Sequence, residues 1–392
     1  MMTPTAASGL ARKFMQDFAR TTGLDPPGPR PRRYLWTDAF AVCNYLGFFQ
    51  QSGDPAYKEL ALRLIDQVHY TLGRHRDDET RSGWISGLSE DAGILHPVIG
   101  GLRIGKSHPE REEKEPYTEE QEWDRDGQYY HYLTKWMHAL TRAGMVTGNP
   151  EYVRWAVEIA QTAHARFTYS TGGRMRMYWK MSIDLSRPLV PSMGQHDPLD
   201  GLVTYAGLHL AAGGNAGQQR VLVQEMADMA GMVGDVPFTT SDPLGIGGLL
   251  SDAARIACLM ARGGPVYPGL FESVTAAAMD GLELYSRNRC LELPARHRLA
   301  FREIGLAIGL AGIEQLAEWI EEKPYLFGRS GAIPGRVKAL RNYVPMKESI
   351  EEFWLEEENQ VSGTWTGHQE ISEVMLATCL SPDGFLDIGA AR

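Results

Sequence analysis

Ser52-Gly53-Asp54-Pro55-Ala56-Tyr57 recurs further along the chain as Thr147-Gly148-Asn149-Pro150-Glu151-Tyr152, each copy lying between two stretches of helical apolar periodicity. The chemistry of both copies is that of a turn between antiparallel helices. Gly ends one helix in the left-handed conformation, Asp or Asn caps the next, and Pro fits the first helical position, where its missing N–H costs nothing. Reading outward gives helices over about 34–51 and 55–73, then about 124–147 and 150–167. Further pairs follow at about 198–212 with 217–233, 248–262 with 268–287, and 298–321 with 335–356. A sixth inner helix is expected over about 367–380, with the amphipathic stretch Ser8 to Thr22 as its partner. The inner helices are apolar and rich in small residues, as Ile304 to Ile313 shows. The outer ones keep a solvated face, as in Tyr57 to Gln67. The expectation is an all-α fold of six hairpins arranged as an (α/α)6 barrel, with residues 1–392 forming a single domain.

Composition sets the outer bounds. Apolar residues make up 43% and charged residues 22%, enough to bury a large core. Lys plus Arg is 39 against 49 Asp plus Glu, a net charge of −10 that disfavours nucleic acid as a partner. The basic run Arg30, Arg32 and Arg33 is short and interrupted by Pro31. No stretch of 18 uninterrupted apolar residues occurs and the first ten residues lack a long apolar run, so a cytoplasmic location with no membrane partner is expected. Cys43, Cys258, Cys290 and Cys379 have no metal-ligand spacing and, apart from Cys290, lie in apolar stretches that suit buried thiols. Neither a metal nor another cofactor is expected.

The connections before the second and third inner helices are long, at about 74–122 and 168–196, and loops of that length in a compact domain usually carry function. They lead into acidic helix starts. The densest is Glu122-Trp123-Asp124-Arg125-Asp126-Gly127-Gln128-Tyr129-Tyr130-His131, continuing through Tyr132, Lys135, Trp136 and His138. Gln195-His196-Asp197-Pro198-Leu199-Asp200-Gly201 echoes it, with Asp200-Gly201 before Tyr205 matching Asp126-Gly127 before Tyr132. Six hairpins, short Gly-Asp-Pro turns and acidic inner-helix starts together resemble the six-hairpin (α/α)6-barrel carbohydrate enzymes. These comprise glycoside hydrolases, unsaturated glucuronyl hydrolases and N-acylglucosamine 2-epimerases. The resemblance implies a small-molecule carbohydrate substrate bound among the long loops.

The residues themselves fit such a ligand. Carboxylates hydrogen-bond hydroxyls or move protons, and aromatic faces stack on the apolar face of a sugar ring. Trp123, Asp124, Tyr130 and His131 are candidate binding residues on the second inner helix start. Trp36 and Asp38 are candidates on the first, Arg302 and Glu303 on the fifth, and Trp365 and Glu370 on the sixth. Helix capping competes with these readings, most strongly at Asp197, where Asp before Pro is an N-cap pattern and Asp200 falls at the capping-box position. The acidic run Glu110 to Glu120 is expected to be exposed.

No phosphate-cradling glycine loop, Gly-x-Ser-x-Gly elbow or His-Glu-x-x-His is present. A glycoside hydrolase needs two carboxyl groups, one protonated and one ionised, and Asp126 with Asp200 is the pair the repeated helix starts suggest. A sugar epimerase would use a pair of near-neutral groups, for which His196 and His368 are the candidates. The epimerase branch usually carries His-Pro-Gly at the fifth inner helix, where this chain has His297-Arg298-Leu299. A non-catalytic ring that binds a sugar or a protein is the third reading.

Overall fold

Both repeated turns have the backbone their residues require. In the computed structural model, which describes residues 3–213, 216–234, 236–264, 267–327 and 332–387, Gly53 and Gly148 are left-handed, with φ of 71° and 70°. Asp54 accepts from the backbone N–H of Ala56 and Asn149 from that of Glu151, each at 3.0 Å, and Pro55 and Pro150 open the following helices. Helix accounts for 67% of the chain and strand for 5%, so the all-α expectation holds at the level of class.

Packing divides the chain into two compact units. The unit from Ala19 to Val236 is built on three hairpins. They are α2 (Leu35–Ser52) with α3 (Pro55–Leu72), α6 (Tyr130–Thr147) with α7 (Pro150–Phe167), and α8 (Asp197–Ala211) with α9 (Ala216–Val233). The inner helices α2, α6 and α8 pack in that order. The long connections add two short helices, α4 (Glu90–Leu95) and α5 (Glu119–Asp124), and two small sheets. In one sheet β1 (Gln128–Tyr129) pairs antiparallel with β4 (Lys180–Met181), which pairs with β5 (Pro188–Val190). The other is the hairpin of β2 (Thr168–Thr171) and β3 (Arg174–Met177), turned by Gly172-Gly173.

The second unit joins Met1–Phe18, most of α1 (Pro4–Thr21), to Pro237–Gly389. Its helices are α10 (Pro243–Ala261), α11 (Pro268–Arg287), α12 (Ala300–Glu322), α13 (Ala332–Leu340), α14 (Pro345–Leu355), the single-turn α15 (Glu357–Gln360) and α16 (Gly363–Thr366), then α17 (Gln369–Leu380) and the short α18 (Asp383–Leu386). α10 is long and apolar enough to cross a membrane by composition, yet most of it is buried, and it packs on α11 and α12 as a core helix. A Cβ on Gly247 would lie 2.1 Å from the Gly305 carbonyl oxygen, and one on Gly309 2.4 Å from that of Gly247. The small residues of α10 and α12 therefore bring the two backbones together.

Three boundaries differ from expectation. The second inner helix begins at Tyr130 rather than near 124, because Gln128 and Tyr129 are committed to the sheet and Gly127 turns with φ 142°. The fourth begins at Pro243, capped by Asp242, whose carboxylate accepts from Gly245 N–H at 3.0 Å. The expected helix over 335–356 is broken into α13, a 3-10 turn (Arg341–Tyr343) and α14, since Pro345 cannot donate to the preceding turn.

Candidate active site

The side chains that gather in the first unit come from one face of α6 and the first turn of α8. His131, Thr134 and Lys135 stand at spacings of three and four on α6, and Asp197 and Asp200 at a spacing of three on α8. His131 Nδ1 lies 3.7 Å from Asp197 Oδ1, and Lys135 Nζ donates to Asp200 Oδ2 at 2.8 Å. Thr134 Oγ1 donates to the same Oδ2. Neighbouring helices thus match a histidine to one aspartate and a lysine to the other.

Aromatic rings surround this polar core. The His131 ring stacks against Tyr129 and Trp179, with centroids 5.2 and 6.1 Å away, and meets Tyr132 edge-on at 4.9 Å. Trp36, from α2, meets His131 and Tyr132, and the Lys135 ammonium sits 5.9 Å over its ring. Tyr34 and Tyr132 share a hydrogen bond of 2.6 Å between their hydroxyls. The β1–β4 pairing sets Tyr129 and Trp179 against His131. It is braced by Lys180, whose Nζ donates to Glu122 Oε1 and to the Glu122 and Arg125 carbonyls at 2.7–2.9 Å. Tyr34, His131, Tyr132, Lys135 and Trp179 are half-buried, so the cluster is recessed but open to solvent.

Asp197 is the electrostatic centre. Its side chain is 8% exposed, and burial, aided by the neighbouring Asp200 and opposed by Lys135, pushes its carboxyl up to about 8. It is therefore largely protonated at neutral pH. Burial, with Lys135 second, pushes His131 down to about 3, so its imidazole is neutral. Among the described residues, Asp197 Oδ2, His131 Nδ1 and Trp36 Nε1 are buried polar atoms with no hydrogen-bond partner. Three such atoms in one half-open cluster is unspent polar capacity of the kind a ligand satisfies.

The expected site residues fall into several groups. Trp36, His131 and Asp200 belong to the cluster. Trp123 is 42% exposed at the end of α5 and meets Trp179 edge-on at 5.1 Å, extending the ring surface outward. His196 precedes α8, half-buried, and makes no capping bond from its side chain. Tyr130 is buried behind the cluster, its hydroxyl donating to that of Tyr205 at 3.0 Å. Asp124 is exposed at the end of α5 and does not cap α6, whose N-cap is Tyr129. Asp38 accepts from Arg33 and from Tyr34 N–H, fixing the start of α2 from beneath.

Asp126 has a different environment from the one its sequence position suggests. It is fully buried, with Oδ1 accepting from Gly105 and Gly127 N–H and Oδ2 from Arg76 and Arg103, all at 2.8–3.1 Å. Both oxygens are committed to holding the long loop to the sheet. The capping reading of Asp197 also fails, because the residue lies inside α8, with His196 at the N-cap, and its carboxyl packs against Gly194. Part of the acidic run is pinned rather than simply exposed. Glu110 accepts from Arg81 at 2.9 Å and Glu115 from Arg125 at 2.5 Å.

The second unit holds the remaining candidates. Glu303 is buried and accepts from Arg298, Trp354 Nε1 and Tyr285, an ion pair with its hydrogen bonds filled. Arg302 donates instead to Asp242 at 2.7 Å, tying the start of α12 to the cap of α10. Trp365 is buried and stacks on Trp354 at 5.7 Å. His368 is exposed ahead of α17, edge-on to Phe301, and Glu370 is half-buried in the first turn of that helix.

No family model matches the chain, and no curated protein matches it. Among solved structures, one described as the crystal structure of an unsaturated glucuronyl hydrolase specific for heparin is similar, with 15% sequence identity and a TM-score of 0.31 over 71% of this chain and 83% of that chain. A likeness so remote leaves the chemistry to be read from the side chains.

Proposed function

We propose that the chain is a carbohydrate-active enzyme, a glycoside hydrolase in which Asp197 is the general acid and Asp200 the ionised partner. The observation that supports it is the meeting of a buried carboxyl having a free oxygen with half-exposed aromatic faces and unsatisfied polar atoms of Trp36 and His131. Hydroxyl-rich rings with apolar faces suit that surface. Asp197 donates its proton to the departing glycosidic oxygen. Asp200 supplies the negative charge that an oxocarbenium-like transition state needs, directly or through a water. Trp36, Tyr132 and Trp179 orient the sugar, and Trp123 extends the stacking surface.

A panel of 4-nitrophenyl α- and β-glycosides of neutral and acidic sugars tests the reading. Release of 4-nitrophenol by the wild type, lost in D200N, is the expected result. A folded protein that cleaves none of them and no unsubstituted oligosaccharide is not a hydrolase. A sugar epimerase is the second reading, favoured by the Nδ1 of His131, which has no hydrogen-bond partner. It predicts interconversion of free sugars in the absence of glycoside cleavage.

A further inference from the structure

The end of α5 keeps charge inside and an indole outside, the reverse of what packing alone selects. Glu122 is 3% exposed and Lys180 fully buried, their side chains joined at 2.8 Å, whereas Trp123, the next residue, is 42% exposed. Arg111 Nε donates to the same carboxylate at 3.0 Å, so Glu122 anchors this turn of chain while the indole beside it stays in solvent. Among the described residues Trp123 meets one other ring, that of Trp179, with centroids 5.1 Å apart and planes at 76°. Trp179 in turn lies nearly parallel to the His131 ring, at 15°. The two indoles therefore form a corner that continues the His131–Asp197 cluster outward.

We infer that the Trp123–Trp179 corner is a second subsite, holding a neutral sugar ring next to the one at Asp197, so that the substrate is a chain of uncharged sugar units rather than a single unit. The inference rests on the carbohydrate reading of the site and adds the class of carbohydrate. A pyranose has apolar C–H faces and a rim of hydroxyls, so two indole planes near a right angle can cover a face and an edge of it at once. A lone exposed apolar side chain needs no explanation, but one mounted on a buried ion pair and continuous with a second ring does. Charge selects the kind of sugar. Glu119 and Glu120 stand four and three residues before Trp123 on α5, both exposed, and exposed Asp124 follows it. The cations of this corner are already spent, Arg111 and Lys180 on Glu122 and Arg125 on Glu115. A carboxylated or sulfated unit would meet uncompensated negative charge there, whereas a neutral unit would meet acceptors for its hydroxyls.

The test is fluorine-19 NMR of the full chain labelled with 5-fluorotryptophan, with W123F and W179F identifying the two signals. The probes are cellotetraose, maltotetraose, xylotetraose and tetragalacturonate, each beside its own monosaccharide at the same concentration of sugar rings. At least one neutral tetrasaccharide is expected to shift the Trp123 and Trp179 signals along one saturation curve, while the monosaccharides leave Trp123 unmoved. Tetragalacturonate is expected to bind more weakly than that neutral chain. W123A should weaken the neutral tetrasaccharide about tenfold, with W123F keeping most of the affinity, and W123S replaces W123A if that variant does not fold. The inference is overturned if no neutral tetrasaccharide moves the Trp123 signal, if one moves Trp179 and leaves Trp123 in place, or if tetragalacturonate binds as tightly as the neutral chains. A Trp123 signal that changes when the protein alone is diluted also overturns it, since a second copy of the chain would then be what covers the indole. Binding needs no turnover. A protein that binds tetrasaccharides at both indoles and cleaves none loses the hydrolase reading and keeps this subsite, and one that cleaves aryl glycosides with Trp123 unmoved does the opposite.

Discussion

Asp197 Oδ1 and His131 Nδ1 approach to 3.7 Å, yet at neutral pH both side chains are largely uncharged. Their proximity is therefore not an ion pair, and its consequence for stability has a definite sign. The unfolded Asp197 ionises near 3.8 and the folded one near 8, so from pH 4 to 8 the folded state binds the extra proton and stability falls as pH rises. His131 and His69 act oppositely. Each titrates near 6.5 unfolded and about 3 folded, so stability rises between pH 3 and 6.5 and is then flat on their account.

D197N removes the falling contribution alone. It is expected to be more stable than the wild type by roughly a few kcal/mol at pH 8, the difference shrinking toward zero at pH 4, at about 1.4 kcal/mol per unit of separation. Denaturant midpoints at pH 4, 6 and 8 measure it. A constant difference across that range means Asp197 is ionised in the folded protein.

The same proton should govern turnover. Activity on a glycoside with a poor leaving group is expected to fall as pH rises through about 8, where Asp197 loses its hydrogen. D197N should lose about 10²–10⁴-fold on that substrate, and much less on a dinitrophenyl glycoside, whose leaving group needs no protonation. Equal losses on the two would exclude Asp197 as the acid.

Why the turns are legible in the sequence and this site only partly so follows from where each signal resides. Gly53-Asp54-Pro55 and Gly148-Asn149-Pro150 specify backbone geometry through their own side chains, so reading them needs no partner. Asp197-Pro198 reads locally as a cap, and only the facing α6 shows that its carboxyl has another environment. Lys135 looks like a helix-surface lysine until Asp200 is set beside it, and Trp179 comes from a long connection with weak periodicity. Trp36, His131 and Asp200 stand out in the sequence because aromatic, imidazole and acidic residues at helix starts carry a chemical signal of their own. Asp126 carries the same signal and spends it on Arg76 and Arg103, which the local pattern cannot reveal.

Gly309 and Gly248 give a test of the α10–α12 contact in the second unit. Alanine is the better helix former by about 1 kcal/mol, so G248A, where a Cβ meets nothing within 4 Å, is expected to be neutral or slightly stabilising. At Gly309 the new Cβ would meet the Gly247 carbonyl oxygen at 2.4 Å and its Cα at 2.7 Å, and backbone cannot rotate away. G309A is expected to cost about 1–3 kcal/mol, the range for forcing extra atoms into a packed core, so the clash outweighs the propensity gain. Urea denaturation of the two variants compares them directly. Equal stability would mean the two helices separate without penalty.

Asp126 supplies the contrast that separates structure from catalysis. Its carboxylate is fully buried between Arg76 and Arg103, at 3.1 and 2.8 Å, and holds the loop at Gly105 to the strand that presents Tyr129. D126A strips the buried Arg76 and the half-buried Arg103 of a shared counter-charge, a change that costs roughly 3–5 kcal/mol when one member of a buried ion pair is removed. Asp78 still pairs with Arg76, which places the expected loss toward the lower end of that range. Because Asp126 reaches neither Asp197 nor Asp200 by any described contact, D126A kept folded at low temperature is expected to retain turnover within a few-fold of the wild type. D197N should show the reverse, a more stable protein with little activity. Thermal melting and turnover per folded molecule, measured on both variants, distinguish the two roles. A D126A protein that melts like the wild type yet has lost its turnover would return Asp126 to the catalytic pair and displace Asp197 from it.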